Sequence, residues 1–405
     1  MGHLIVVGAG AAGLMAAGAA LEQGHTVTLL EHEEKPGKKI LVTGKGRCNV
    51  TNDCDLETFL QNVRTNPRFL YSAFSAFDTA AAMALFEGLG VPLKVERGRR
   101  VFPVSDRAED IRRALVRYAA GAELHTEEVT KLILEEGRCV GVSCRSGRQY
   151  RGDWVLVATG GVSYPGTGSR GAGYALARQA GHTVRPPVPS LVSLVAQGGE
   201  CRRMMGLALK NVGLTLYQDG KSIFQEQGEA LFTHFGLSGP LVLSASAHLG
   251  DLAKHKYEVG FDLKPALSHE QLYARLNRDL TALANRDAAN CLVKLLPASM
   301  QPVMVERWGV DPAKKANQLT KEERLALVEL MKDFRIKIRE RGDLEHAVIT
   351  SGGVTVKEVD PRTMASKKCP GLYFAGEVLD VDAYTGGYNL QIAWCTAQAA
   401  ARGLA

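Results

Sequence analysis

Residues 3–31 constrain the fold more than any other stretch of the chain. His3-Leu4-Ile5-Val6-Val7 reads as a buried strand, and Gly8-Ala9-Gly10-Ala11-Ala12-Gly13 follows it without a spacer. A helical pattern then runs to Gln23, Gly24 stops it, and Thr26–Glu31 reads as a second strand ending in an acid. Strand, GxGxxG turn, helix and strand in this order make the βαβ unit that binds dinucleotides. Gly8 permits the tight turn, Gly10 lets a pyrophosphate touch the backbone, and Gly13 lets the helix pack on the strand. Ala11 and Ala12 open the helix, whose free N–H groups hold phosphate. Glu31, 18 residues after Gly13, is placed to accept hydrogen bonds from a ribose hydroxyl. A glycine-rich turn without a ligand is the bland alternative, and the complete βαβ context argues against it. FAD and NAD both use this unit, so it does not separate them.

The segment that follows favours FAD. Lys35-Pro36-Gly37-Lys38-Lys39 leads to Thr43-Gly44-Lys45-Gly46-Arg47-Cys48-Asn49-Val50-Thr51-Asn52, with five cations in the thirteen residues 35–47. Cations interleaved with glycines make an anion-facing loop, for which Lys39, Gly44, Arg47, Cys48 and Asn49 are the expected contacts. A solvated charged loop is the alternative. An NAD dehydrogenase has no need of such a loop here, whereas a flavin must be gripped along its length. Two further strand ends repeat the theme. Trp154–Val157 runs into Ala158-Thr159-Gly160-Gly161, and Leu372-Tyr-Phe runs into Ala375-Gly376-Glu377-Val378-Leu379-Asp380. Thr385-Gly386-Gly387-Tyr388-Asn389-Leu390-Gln391 then opens a helix through Ala401. Three such turns at the start, middle and end of a chain suit one extended FAD. The last helix would aim its positive end at the flavin edge that becomes anionic on reduction.

These residues resemble the BaiN/RdsA-type bacterial family of NAD(P)/FAD-dependent oxidoreductases over essentially the whole chain. The resemblance rests on residues 43–52, on Ala-Thr-Gly-Gly-Val-Ser-Tyr-Pro-Gly-Thr-Gly-Ser (158–169) and on Gly-Glu-Ala-Leu-Phe-Thr-His-Phe-Gly-Leu-Ser-Gly-Pro (228–240). Thr-Ser-Gly-Gly-Val (350–354) and the run 376–391 complete it. Lys45 stands where a further glycine is common in the family. The resemblance implies an α/β fold with a Rossmann-like, glutathione-reductase-type FAD-binding domain, discontinuous over 1–187 and 347–405. An inserted β-rich domain (188–265) and a small helical insertion ending in a basic strand (266–346) are implied between its halves. Val129 joins the expected cofactor contacts. The patterns agree: Pro186, Pro187 and Pro189 punctuate the end of the first half, short β-like runs fill 191–262, and helical patterns cover 268–286 and 320–332.

Other chemistries fit less well. The eight cysteines show no CxxC and no zinc spacing, and the free-thiol reading suits a cytoplasmic protein. Cys48 and Cys54 have five residues between them rather than the four of a flavin disulfide reductase, and Cys139 and Cys144 lie in a strand-like run. No metal is expected. Gly166-Thr-Gly168-Ser-Arg-Gly171 matches GxGxxG as text, but Pro165 precedes it instead of a strand, so it reads as a loop opening the helix 171–181. NAD(P)H would then visit the flavin transiently. Leu4–Leu21 is uncharged, yet it carries four glycines and no cationic leader, so neither a signal peptide nor a membrane span is expected.

The family includes members that reduce conjugated C=C bonds of bile-acid-like steroids and members that make dihydrouridine in ribosomal RNA. The shared chemistry sends hydride from flavin N5 to the carbon β to a carbonyl and a proton to the α carbon. His234, Cys48, Tyr164 and Tyr388 are candidate proton donors or carbonyl partners; a packing role is the alternative for each. A small conjugated substrate is the first expectation, ribosomal RNA the second, and an RNA-associated protein with a binding role the third. RNA contact would fall on Arg97, Arg99 and Arg100 and on Arg335, Lys337 and Arg339. Phe334–Arg341 alternates strictly, with Phe334, Ile336 and Ile338 on one face and the cations on the other. A solvated strand face explains it equally, and the net charge of +6 is mild for a nucleic-acid protein.

Overall fold

A computed structural model describes residues 1–404. The chain forms two compact units, one built from residues 1–190 and 344 onward, the other from Leu191–Asp343.

The first unit is organised by a five-stranded parallel sheet. Its order is Leu372–Phe374, Trp154–Val157, His3–Val7, Thr26–Glu31, Glu123–Thr126. Leu4, Ile5, Val6 and Val7 are apolar on both faces, so their strand takes the centre, where both faces are covered. Eight of the twelve residues of the helix Ala11–Glu22 are alanine or glycine, and it packs against the helix Tyr388–Arg402, whose C-terminal half is alanine-rich. Small side chains let the two axes come close, and both helices are buried along most of their length. Trp394 fills the core between the C-terminal helix and residue 50, donating its indole N–H to Val50 O at 2.9 Å. Two three-stranded antiparallel sheets flank this frame: Val129–Glu135 with Arg138–Cys144 and Gln149–Arg151, and Thr51–Asn52 with Arg100–Pro103 and Leu93–Glu96.

Pro186, Pro187 and Pro189 close the first stretch of this unit, as expected, and lie inside a strand, Val184–Ser190. It pairs antiparallel with Ile349–Val354 in a two-stranded ribbon whose register shifts between Arg185 and Val188. A bulged ribbon leaves unpaired positions where a proline's missing N–H costs no ladder bond.

In the second unit six antiparallel strands close a barrel, in the order Leu194–Ala196, Gly236–Ser238, Lys221–Phe232, Ala208–Gln218, Tyr257–Asp262, Phe334–Arg341. The helices His269–Ala282, Gln301–Trp308 and Lys321–Lys332 share one core with it. The expected division of the insertion at 265/266 is therefore corrected. Phe334–Arg341 closes the barrel by pairing with both Tyr257–Asp262 and Leu194–Ala196, so strands and helices cannot be separated without opening it. Phe334, Ile336 and Ile338 face inward, as the alternation requires. Among the described residues no single helix is long and apolar enough to cross a membrane.

Candidate functional site

The turn Gly8–Gly13 is built as a cradle. Gly8 has φ +99°, and a Cβ there would lie 2.8 Å from Ala158 O. A Cβ on Gly13 would overlap Gly8 O, so helix and turn touch backbone to backbone. A Cβ on Gly10 would meet nothing within 4 Å, because Gly10 faces a cavity. Ala9 N–H donates to Glu31 Oε2 at 2.7 Å, and Glu33 N–H to Glu31 Oε1 at 3.0 Å, which fixes the acid at the end of its strand with lone pairs to spare.

The same cavity is lined by Ala11, Ala12, Lys39, Val129, Ala158, Thr159 and Gly160, then by Gly376, Glu377, Asn389 and Leu390. All belong to the first unit. Asn389 clamps its own loop, accepting from Ala383 N–H at 2.9 Å and donating to Ala383 O at 2.8 Å, and so carries the start of the C-terminal helix to the cavity wall. Thr159 Oγ1 is buried with no hydrogen-bond partner. Such an orphan beside a cavity fits a polar ligand, since an unmade bond there costs ~1–3 kcal/mol.

The remaining expected contacts stand apart from this lining. Arg47 is spent on Glu96 (2.5 Å) and Asp106 (2.6 Å) and stacks over the Phe102 ring at 4.1 Å. It staples a loop outside the cavity lining. Gly44 and Cys48 hold left-handed backbone in the tight loop that ends on Thr43 O, to which Cys48 N–H donates at 3.0 Å. The Cys48 thiol is fully buried, and that burial pushes it up to about 12. It is a packing group. Asn49 Oδ1 is buried without a partner, away from the cavity lining. Gln391 accepts from Thr51 Oγ1 at 2.8 Å and donates to Phe77 O at 3.0 Å, so its amide joins helix to core. Asp380 accepts from Asn66 Nδ2 at 3.2 Å and from Arg185 Nε at 3.1 Å, and burial raises its pKa. Gly387 turns the chain tightly against the Thr51 backbone at the start of the C-terminal helix.

Among the proposed proton donors, Tyr388 is buried with its ring 6.4 Å from Phe59, and Tyr164 is half-buried in a left-handed turn. His234 belongs to the second unit, exposed on the loop between Lys221–Phe232 and Gly236–Ser238, its ring edge-on to Phe235. None of the three lines the cavity. Lining residues that the sequence reading passed over include His32, Glu33, Val348, Ile349 and Thr167–Arg170. The glycines at 160–171 were the available signal for the last group; Val348 and Ile349 carry none.

Arg97, Arg99 and Arg100 are exposed on a hairpin tip and form no ion pair among the described residues. Arg335 is paired with Asp333 at 2.6 Å and Glu258 at 3.4 Å and stacks on Tyr217, and Arg339 pairs with Glu340. Lys337 is exposed.

A model of the HI0933-like protein Rossmann domain matches residues 2–403. The chain is similar to the 3-dehydro-bile acid delta(4,6)-reductase of Clostridium scindens, 32% identical, covering 100% of this chain and 99% of that one. It is equally similar to the ribosomal RNA dihydrouridine synthase of Escherichia coli, 32% identical over 99% of this chain and 97% of that one. Among solved structures, a flavocytochrome c3 fumarate reductase shares the fold at TM-score 0.52 and 17% identity, covering 100% of this chain and 78% of its own. A 3-ketosteroid delta1-dehydrogenase from Sterolibacterium denitrificans does so at 0.50 and 13%, covering 100% and 99%.

Proposed function

The chain belongs to the HI0933-like Rossmann flavoprotein family, and on that premise we propose that it is an FAD-dependent oxidoreductase that reduces a conjugated carbon–carbon double bond with electrons from NAD(P)H. One observation carries the reading: a single cavity brings the dinucleotide turn, the acid Glu31 and the start of the C-terminal helix together. The residues fit FAD. The open side of Gly10 and the first N–H groups of Ala11–Glu22 receive the pyrophosphate, and Glu31 accepts from the adenosine ribose. Asn389 and Leu390 set the positive end of the C-terminal helix toward the cavity, which favours negative charge there. Bound FAD would supply the hydride for the carbon β to a carbonyl.

The relatives act on a bile acid and on ribosomal RNA, and both names fit this chemistry. A small enone is the first reading, because two of the four cations of the basic strand 334–341, Arg335 and Arg339, are paired with acids. The exposed hairpin tip Arg97–Arg100 favours a second, uridine in RNA. The experiment is to reconstitute the full chain with FAD and add NADH or NADPH without oxygen. A steroid 4-en-3-one and ribosomal RNA lacking dihydrouridine are then offered separately. Reoxidation by the enone supports the first reading, and dihydrouridine by mass spectrometry the second. Bound FAD that neither donor reduces would leave a binding role and refute the enzyme.

A further inference from the structure

A charge pair in the cavity wall is closed almost entirely by protein atoms. Lys39 Nζ donates to Glu377 Oε2 at 2.7 Å and to Ser163 Oγ at 2.7 Å. Glu377 Oε1 accepts from the Ser163 hydroxyl at 2.8 Å and from Thr350 N–H at 2.9 Å. The Thr350 hydroxyl accepts in turn from Val162 N–H at 2.8 Å and Ser163 N–H at 3.1 Å. The side chains of Lys39 and Glu377 keep 23% and 16% exposure, and both line the cavity. Burial works to raise the Glu377 pKa, but Lys39 and the Thr350 and Ser163 donors outweigh it, so the carboxyl stays below its ordinary value and charged.

The arrangement assigns unequal roles. A carboxylate has about four acceptor sites, and protein donors occupy three on Glu377, so it has little left for a ligand. An ammonium has three N–H groups, and one on Lys39 is uncommitted. Stability alone explains such a pair poorly, because apolar groups of the same volume would serve as well or better. Its place beside Gly376, whose Cβ position lies 2.9 Å from Ala12 Cβ at the start of the phosphate-binding helix, sets it within the cofactor's reach.

We propose that Lys39 and Glu377 form a balanced charge pair that keeps either charge alone from displacing the reduction potential of the bound flavin, with Glu377 as the positioning residue that holds Lys39 and cancels its charge. This rests on the reading of the cavity as an FAD site. Reduction of the flavin takes up two electrons and one proton and leaves one negative charge on the ring. At an effective dielectric of about 20, a lone charge ~10 Å away changes that equilibrium by about tenfold. Tenfold is roughly 30 mV for a two-electron couple.

The test measures the flavin midpoint potential of the full chain, reconstituted with FAD and reduced stepwise by dithionite against a reference dye. Lys39→Met leaves an unpaired carboxylate and should lower the potential; Glu377→Gln leaves an unpaired ammonium and should raise it. Each shift should reach roughly 30 mV, and the double variant should return toward the unaltered value. Should Lys39→Met release its flavin, Glu377→Gln and the double variant decide the sign between them. Equal potentials, with only thermal stability reduced, would overturn the proposal in favour of a structural staple. Shifts of the same sign would overturn it too. Unaltered protein that takes up no FAD would refute the cofactor reading itself, before any variant is made.

Discussion

Gly10 and Gly13 sit three residues apart in one motif, yet alanine at each should fail for a different reason. In Gly13→Ala the new methyl would overlap Gly8 O, with Gly8 C at 3.0 Å and Val6 Cγ1 at 3.3 Å. Two of those neighbours are backbone, so relief requires the helix Ala11–Glu22 to shift off the central strand. Overpacking of this kind costs ~1–3 kcal/mol, and in a unit of this size each kcal/mol lowers Tm by roughly 2–4 °C. The loss should appear without any cofactor. Gly10→Ala adds a methyl that meets no protein atom within 4 Å, so the cofactor-free protein should unfold as before. Its methyl enters the cavity where the pyrophosphate approaches, so the damage should appear as weaker FAD binding. Thermal unfolding of both variants, with and without FAD, and a fluorescence titration with FAD separate the two effects. Unchanged cofactor-free unfolding in Gly13→Ala would refute the tight helix–turn packing. FAD affinity unchanged in Gly10→Ala would refute the approach of the phosphates to this turn.

Glu31→Ala should weaken FAD binding roughly ten- to a hundredfold, the worth of hydrogen bonds from a charged carboxylate at ~1.5–3 kcal/mol, as equilibrium dialysis would show. Glu109 is held down to about 2, chiefly by Arg112, which also donates to Pro36 O beside the cavity loop. Its folded pKa lies below the unfolded value of ~4.3, so its stabilisation is present above that pH and lost as pH falls to about 2. Glu109→Gln should therefore unfold more easily near neutral pH and converge with the unaltered protein at pH 2 in denaturant titrations. Cys48 and the other seven thiols are buried and unpaired, so a thiol reagent should label none quickly in native protein and all eight after denaturation. If RNA is bound, Arg97, Arg99 and Arg100 changed together to Ser should flatten the salt dependence by roughly 0.7 in log–log slope for each phosphate no longer neutralised; an unchanged slope would place the RNA on another surface.

Local rules made the first strand, the glycine turn, the helix and the acid Glu31 readable in order, because each depends on neighbours within a few residues. Periodicity likewise marked Phe334, Ile336 and Ile338 as an inward face. Sequence order could not show that the same strand closes the barrel and merges helices with strands, since closure needs partners at Leu194–Ala196 and Tyr257–Asp262. The segment 35–52 shows the limit most clearly. Arg47 and Lys39 look alike in a run of cations and glycines. Glu96 and Asp106 neutralise Arg47 away from the cavity, while Glu377, 338 positions along the chain, holds Lys39 in its wall. A cation's chemistry depends on which acid reaches it in space, and those acids arrive from remote segments that only folding brings within a few ångströms.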